Sequence, residues 1–133
     1  MPQLKFGNAL LCDYASLGSN NKHTLVGVYS GDIYLEAIPM PMVFGMYIEH
    51  IPDKSGSIEL MLSCKINDRS IIAVQASATV QKKRVGVLLI QTPPLLIESA
   101  GTFKLIAESA GYAPTTIMTK EVILGPVPIL PTA

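Results

Sequence analysis

Apolar and polar residues alternate with a period of two along much of the chain. Ile58, Leu60, Leu62, Cys64 and Ile66 form one apolar set, with Glu59, Met61, Ser63, Lys65 and Asn67 standing between them. Successive side chains of a strand point to opposite faces, so this pattern predicts a strand with one buried and one mostly wet face. Ile72, Val74, Ala76, Ala78 and Val80 repeat it, with Gln75, Ser77 and Thr79 outward. Asn67-Asp68-Arg69 separates the two runs, and Asn and Asp tolerate the left-handed backbone of tight turns, so the pair predicts a hairpin. Met42, Phe44, Met46 and Ile48 alternate in the same way with Gly45, Tyr47 and Glu49, and Pro52-Asp53-Lys54-Ser55-Gly56 then turns the chain. Phe103, Leu105 and Ala107 alternate with Lys104 and Glu108. That strand is bracketed by Glu98-Ser99-Ala100-Gly101 and Glu108-Ser109-Ala110-Gly111, two copies of one tetrapeptide that read as similar turns. A last strand is expected over Thr115–Leu124.

Short strands punctuated by turn residues at intervals of about ten predict a sandwich or barrel. Ten prolines and ten glycines leave few windows for a helix, and Ile97–Ala100 is too short to form one alone. The expected fold is therefore all-β: an antiparallel two-sheet β-sandwich, immunoglobulin-like, with about eight strands and no substantial helix. Residues 1–124 are expected to form a single sandwich domain, and residues 125–133 a proline-rich extended tail. A chain of 133 residues buries enough surface to hold a core without staples.

Three segments break the alternation. Around Leu4–Tyr14, Thr24–Tyr29 and Val85–Ile90, apolar side chains fall on both parities. Ala9 and Leu11 face opposite to Leu10 and Cys12, and Val85, Val87 and Leu89 face opposite to Leu88 and Ile90. Strands of this kind are covered on both sides, whereas a two-sheet sandwich covers one face of each sheet. Either a loop packs across the outside or another molecule does, and Leu10, Val28, Val87 and Leu89 are the candidate contributors to such a surface.

Composition adds mostly exclusions. Hydrophobic residues make up 49% of the chain and charged residues 15%, which argues against disorder. Ten basic residues balance ten acidic ones, so no net field gathers phosphates and nucleic acid is not an expected partner. The apolar runs Ala37–Ile48 and Val85–Ile97 are short and contain prolines, so no membrane span is expected. The start Met1-Pro2-Gln3-Leu4-Lys5-Phe6 lacks the features of a secretory signal, and a cytoplasmic setting is expected.

Candidate chemistry is sparse. Cys12 and Cys64 lack metal-site spacing and read as buried free thiols. His23 and His50 lie in no nucleophile motif and read as surface or strand-end histidines. Glu98 and Glu108 sit near opposite ends of one strand, too far apart for paired acid/base work. Asp53-Lys54-Ser55-Gly56 lacks the acidic ligands of a calcium loop, and no phosphate-cradling motif occurs. Gln81-Lys82-Lys83-Arg84 reads as a polar hairpin tip, and Pro128-x-x-Pro131 matches a minimal polyproline ligand. No catalytic, cofactor-binding or metal-binding residue is expected. The leading expectation is a non-catalytic interaction or assembly module, with itself or another protein as partner. The alternative is a small apolar-ligand binder lined by Met40, Met42, Met46 and Met61. An enzyme would require residues such as Asp13, Asp32 and His50 to converge.

Leu10-Leu11-Cys12-Asp13-Tyr14-Ala15, the polar turn through Asn20 and Asn21, Leu25-Val26-Gly27-Val28-Tyr29 and the later Ala100-Gly101-Thr102-Phe103-Lys104-Leu105 together resemble an uncharacterised bacterial and phage-associated family of small β-sandwich proteins. In that family an apolar strand ending in Cys-Asp or Asp-Asp leads through a turn to a "Leu-Ile-Gly-Val-Phe"-like strand, and the closing strand begins "Pro-Gly-Thr-Tyr". Here Ser99-Ala100 stands where that family leads into the glycine with proline. The resemblance implies a sandwich fold and transfers no functional residue.

Overall fold

The computed structural model describes residues 1–20 and 22–126. Asn21 and the Pro128-x-x-Pro131 pattern lie outside the described residues. Among the described residues the chain is all-β, with one sheet curled as a half-barrel. The first six strands are β1 (Lys5–Cys12), β2 (Tyr14–Leu17), β3 (His23–Val26), β4 (Ile33–Leu35), β5 (Met40–Met42) and β6 (Gly45–Ile51). The rest are β7 (Gly56–Ile66), β8 (Arg69–Val80), β9 (Gly86–Gln91), β10 (Leu95–Ile97), β11 (Gly101–Glu108) and β12 (Thr115–Leu124). Among the described residues twelve strands therefore stand where about eight are expected from turn spacing.

Five strands form the larger sheet, in the order β4-β12-β11-β7-β8. Its β7–β8 hairpin follows the alternation: Leu62 pairs with Val74 and Leu60 with Ala76. Asn67 (φ 51°) and Asp68 (φ 64°) both adopt the left-handed backbone, which lets a two-residue turn match the twist of its strands. The Asn67 side chain also accepts from the Thr102 N–H at 3.0 Å and donates to the Ala100 carbonyl at 2.9 Å. The hairpin tip is thereby fastened to the turn that opens β11, where Gly101 (φ 138°) leaves no room for a Cβ against Asn67. The β4–β12 pair is parallel, so the sheet is mixed and departs from the expected antiparallel arrangement. After the connection Gly27 to Gly31, β4 takes the edge of the sheet by running alongside β12.

A second sheet has the order β1-β6-β9, and two smaller pairs, β2-β3 and β5-β10, complete the described strands. Leu11, Met46 and Ile90 from the three-stranded sheet join Leu60, Leu62, Phe103 and Leu105 from the five-stranded sheet in one hydrophobic cluster. Phe44 meets Phe103 at 5.7 Å between ring centroids, and the Cys64 thiol lies 4.0 Å from the Met46 sulfur. Burial of these side chains is the main favourable term in the fold.

Three local expectations change. The run from Met42 to Glu49 is two strands: Val43 and Phe44 separate β5 from β6, and Phe44 exchanges bonds with Thr92 instead, at 2.8 and 2.9 Å. The strand expected over Thr24–Tyr29 stops at Val26, because Gly27 takes φ 69° and turns the chain toward Tyr29. Gln81–Arg84 is no hairpin tip. The strands on either side of it belong to different sheets, and the segment carries the chain between them, held by Lys82 N–H to Ser55 Oγ and Lys83 N–H to the Pro52 carbonyl at 3.0 Å each.

Candidate functional site

In the three-stranded sheet, cross-strand pairing assigns each residue a face. Leu11, Met46 and Ile90 line up on the core side, and Leu10, Tyr47 and Leu89 form the adjacent outward row. Val87, paired with Glu49, shares that outward face. Leu10 is 38% exposed, Val87 36% and Val28 45%, while Leu89 is half-buried. The four candidate positions thus divide between this outer face (Leu10, Val87, Leu89) and the connection after β3 (Val28).

Cys12 lies on the same outward parity yet is fully buried, and the β2–β3 hairpin explains it. After Cys12 the chain reverses at Asp13, whose N–H bonds the Val26 carbonyl at 3.0 Å, and β2 packs against β6 and β9. The Gln91 side chain fastens β2 there, accepting from Ala15 N–H and donating to the Asp13 carbonyl at 3.0 Å each. The thiol of Cys12 donates to the Tyr14 carbonyl at 3.2 Å. A segment of the chain itself therefore covers one end of the outer face, and the other end stays open.

Between hairpin and sheet runs a groove of about 410 Å³ lined by Ala9, Leu10, His23, Leu25, Tyr47 and Glu49 among others. The His23 ring meets Tyr47 edge-on at 5.7 Å. One wall is anionic: an irregularity in β1 between Phe6 and Ala9 turns the Asn8 N–H toward Glu49 at 2.9 Å, and the Tyr47 hydroxyl donates to the same carboxylate at 2.8 Å. These donors hold the Glu49 carboxyl below its ordinary range, the Asn8 N–H contributing most. The groove thus offers apolar side chains and one fixed negative charge.

A wider cleft of about 690 Å³ opens where the Pro52–Gly56 turn meets β7 and the turn after β11. There the Tyr112 hydroxyl donates to Asp53 at 2.6 Å, and the Lys54 ammonium stands 5.6 Å from the Tyr112 ring centroid. His50 lies at its inner wall. It stands at the end of a strand as expected, one residue before β6 stops at Ile51, but it is no surface histidine: it is 4% exposed, beside Phe6 at 5.5 Å. The parity that carries Phe44, Met46 and Ile48 inward continues to position 50, and that was the available signal.

Burial lowers the pKa of His50, with Asp53 opposing the shift. The folded state then binds this proton less readily than the unfolded chain does. The stability it contributes is complete above the ordinary value of about 6.5 and declines as pH falls through the lowered one. Thermal melts should therefore show a lower Tm at about pH 5.5 than at about pH 7.5, and His50→Leu should flatten that difference. An equal difference in the variant would assign the acid sensitivity to other groups.

The remaining candidates are dispersed. Asp13 accepts from the Tyr29 hydroxyl at 3.3 Å, Asp32 accepts from the Glu121 N–H at 3.0 Å, and His50 stands apart from both partnerships. Met46 is buried, Met40 and Met42 pack against the core, and Met61 is exposed, so the four methionines form no common wall. Glu98 and Glu108 are exposed near opposite ends of β11. Both cysteines are free and buried, and desolvation pushes the Cys64 thiol up to about 12. Among the described residues no group of three or more His, Cys, Asp or Glu is placed to hold a metal, and no helix is long and apolar enough to cross a membrane.

No family model matches the chain. No curated protein is significantly similar to it. The functional reading therefore rests on the outer face and on the clefts beside it.

Proposed function

We propose that this chain is a non-catalytic protein-interaction or assembly module that acts through the outer face of the β1-β6-β9 sheet, with a second copy or another protein as its partner. The observation that carries the reading is the outward row Leu10–Tyr47–Leu89, continued by Val87 and left partly open beside a groove with one fixed carboxylate. Apolar surface of this kind marks interaction sites when it is contiguous. The shared core of the two larger sheets supports an immunoglobulin-like two-sheet sandwich as the finer description of the fold. That description agrees with the resemblance to the small β-sandwich family. Two buried free thiols fit a reducing, cytoplasmic setting.

Light scattering coupled to size exclusion, over a concentration series, tests the surface with Leu10→Asp and Val87→Asp together. Both positions are partly exposed, so the melting temperature should change little, while any self-association of the wild type should weaken by about tenfold or more. An assembly that survives the double substitution unchanged removes this face from the interface.

A further inference from the structure

We infer that two copies of this chain pair antiparallel along the free edge of β8, extending the five-stranded sheet across a twofold axis at Gln75. The strand runs over Arg69–Val80, twelve residues, and among the described residues it is laddered only to β7. Its other edge thus presents a row of unpaired backbone donors and acceptors. Natural sheets protect such edges with lysine, proline, bulges or short length. From Ser70 to Val80 there is no charged residue and no proline, and the register irregularity near Ile71 sits at one end, leaving Ile72–Val80 regular.

Burial points the same way. The inward row of β7 is closed, with Leu60, Leu62 and Cys64 each 1% exposed. The inward row of β8, Ile72, Val74, Ala76, Ala78 and Val80, is only half-buried. Among the described residues the core therefore ends at an apolar strand with no hydrogen-bonded neighbour on that side, although β10 approaches it.

A second copy fits this edge better than an arbitrary strand does. Antiparallel pairing about a twofold axis is self-complementary. With Gln75 on the axis, residue numbers of facing partners sum to about 150 by construction. From Ser70 to Val80 neither copy brings a charge to the pairing, so no like-charge repulsion opposes it. Ala73 faces Ser77, and both are exposed on the outer side of the sheet.

This inference shares with the proposed function the premise of a protein partner, but it names a different surface, and the variants separate the two. Ala73→Lys with Ser77→Lys places like charges opposite one another at two symmetric pairs. Ala73→Glu with Ser77→Lys places opposite charges there instead. Cross-strand pairs respond to charge in this way, and neither exposed position is needed for the fold of the monomer. Light scattering over a concentration series, with thermal melts as a folding control, should give a wild-type dimer. The Lys/Lys variant should dissociate at least roughly tenfold more readily, and the Glu/Lys variant should return to within about threefold of wild type. A wild type that is monomeric at all concentrations overturns the pairing, whether or not another protein's strand can occupy the edge. A dimer indifferent to both β8 variants overturns it too. If Leu10→Asp with Val87→Asp then breaks that dimer, the outer-face reading stands without the edge.

Discussion

Replacing Phe103 by alanine is expected to remove about 3–5 kcal/mol of folding stability, a range measured for large aromatic truncations in closed cores. Phe103 is 0% exposed and lies in β11, which has β7 on one side and β12 on the other. Its ring meets Phe44 of the connection before β6 at 5.7 Å with the planes tilted by 43°, a geometry that adds aromatic attraction to area burial. Truncation leaves a void bordered by both large sheets, and neither can collapse into it without breaking its own ladder. Urea denaturation should show a lower midpoint with an unchanged slope, and Ile123→Ala, on a partly exposed side chain, should cost much less. A loss below about 1 kcal/mol for Phe103 would mean that the two sheets do not share a core at this position.

The second large effect concerns a residue with no side chain. A Cβ at Gly45 would stand 2.7 Å from the Ala15 nitrogen and 2.9 Å from both the Tyr14 carbonyl carbon and the Cys12 sulfur. Two of these are backbone atoms, which cannot swing aside as the end of a long side chain can. Gly45→Val should therefore force β2 off the sheet and cost about 3 kcal/mol, the upper part of the usual overpacking range. The loss has its own signature. Cys12 is buried only because β2 crosses over it, so its thiol should become open to alkylation in the folded variant while Cys64 stays protected. Labelling under native conditions followed by mass mapping reads this directly. A stable Gly45→Val variant with Cys12 still protected would show that the hairpin does not rest on β6.

The parts of this fold legible from sequence are those where one face is wet. In β7 and β8 each inward residue is apolar and its neighbours are mostly polar, so period and parity could be read together, and Asn67-Asp68 supplied the turn. β12 spans the residues expected for it because its termini fall at Pro114 and Gly125. Alternation could not show where β5 ends and β6 begins, since Phe44 keeps the inward parity while its backbone turns to Thr92. It could not tell a hairpin tip from a crossover at Gln81–Arg84 either, because both are short, polar and flanked by apolar strands; only long-range pairing separates them. The two-faced segments were informative in kind. They required cover on both sides, and at Cys12 the cover proves to be the chain's own hairpin. At Leu10 and Val87 the same pattern leaves open surface, and parity alone could not say which residues would be there.

The crossover at residues 81–85 has a further consequence. Lys82, Lys83 and Arg84 are exposed, which makes the segment an accessible target for trypsin-like cleavage. A cut there divides the strands without dividing the sheets. The first fragment would carry β1 and β6, and the second β9; in the larger sheet the β11–β12 hairpin of the second fragment is inserted between β4 and β7 of the first. Each fragment is thus missing strands from both large sheets, and each is the template on which the other's unpaired edges close. The chain is in this sense already a split pair, whose halves should complement one another noncovalently when mixed and whose ends could be rejoined elsewhere.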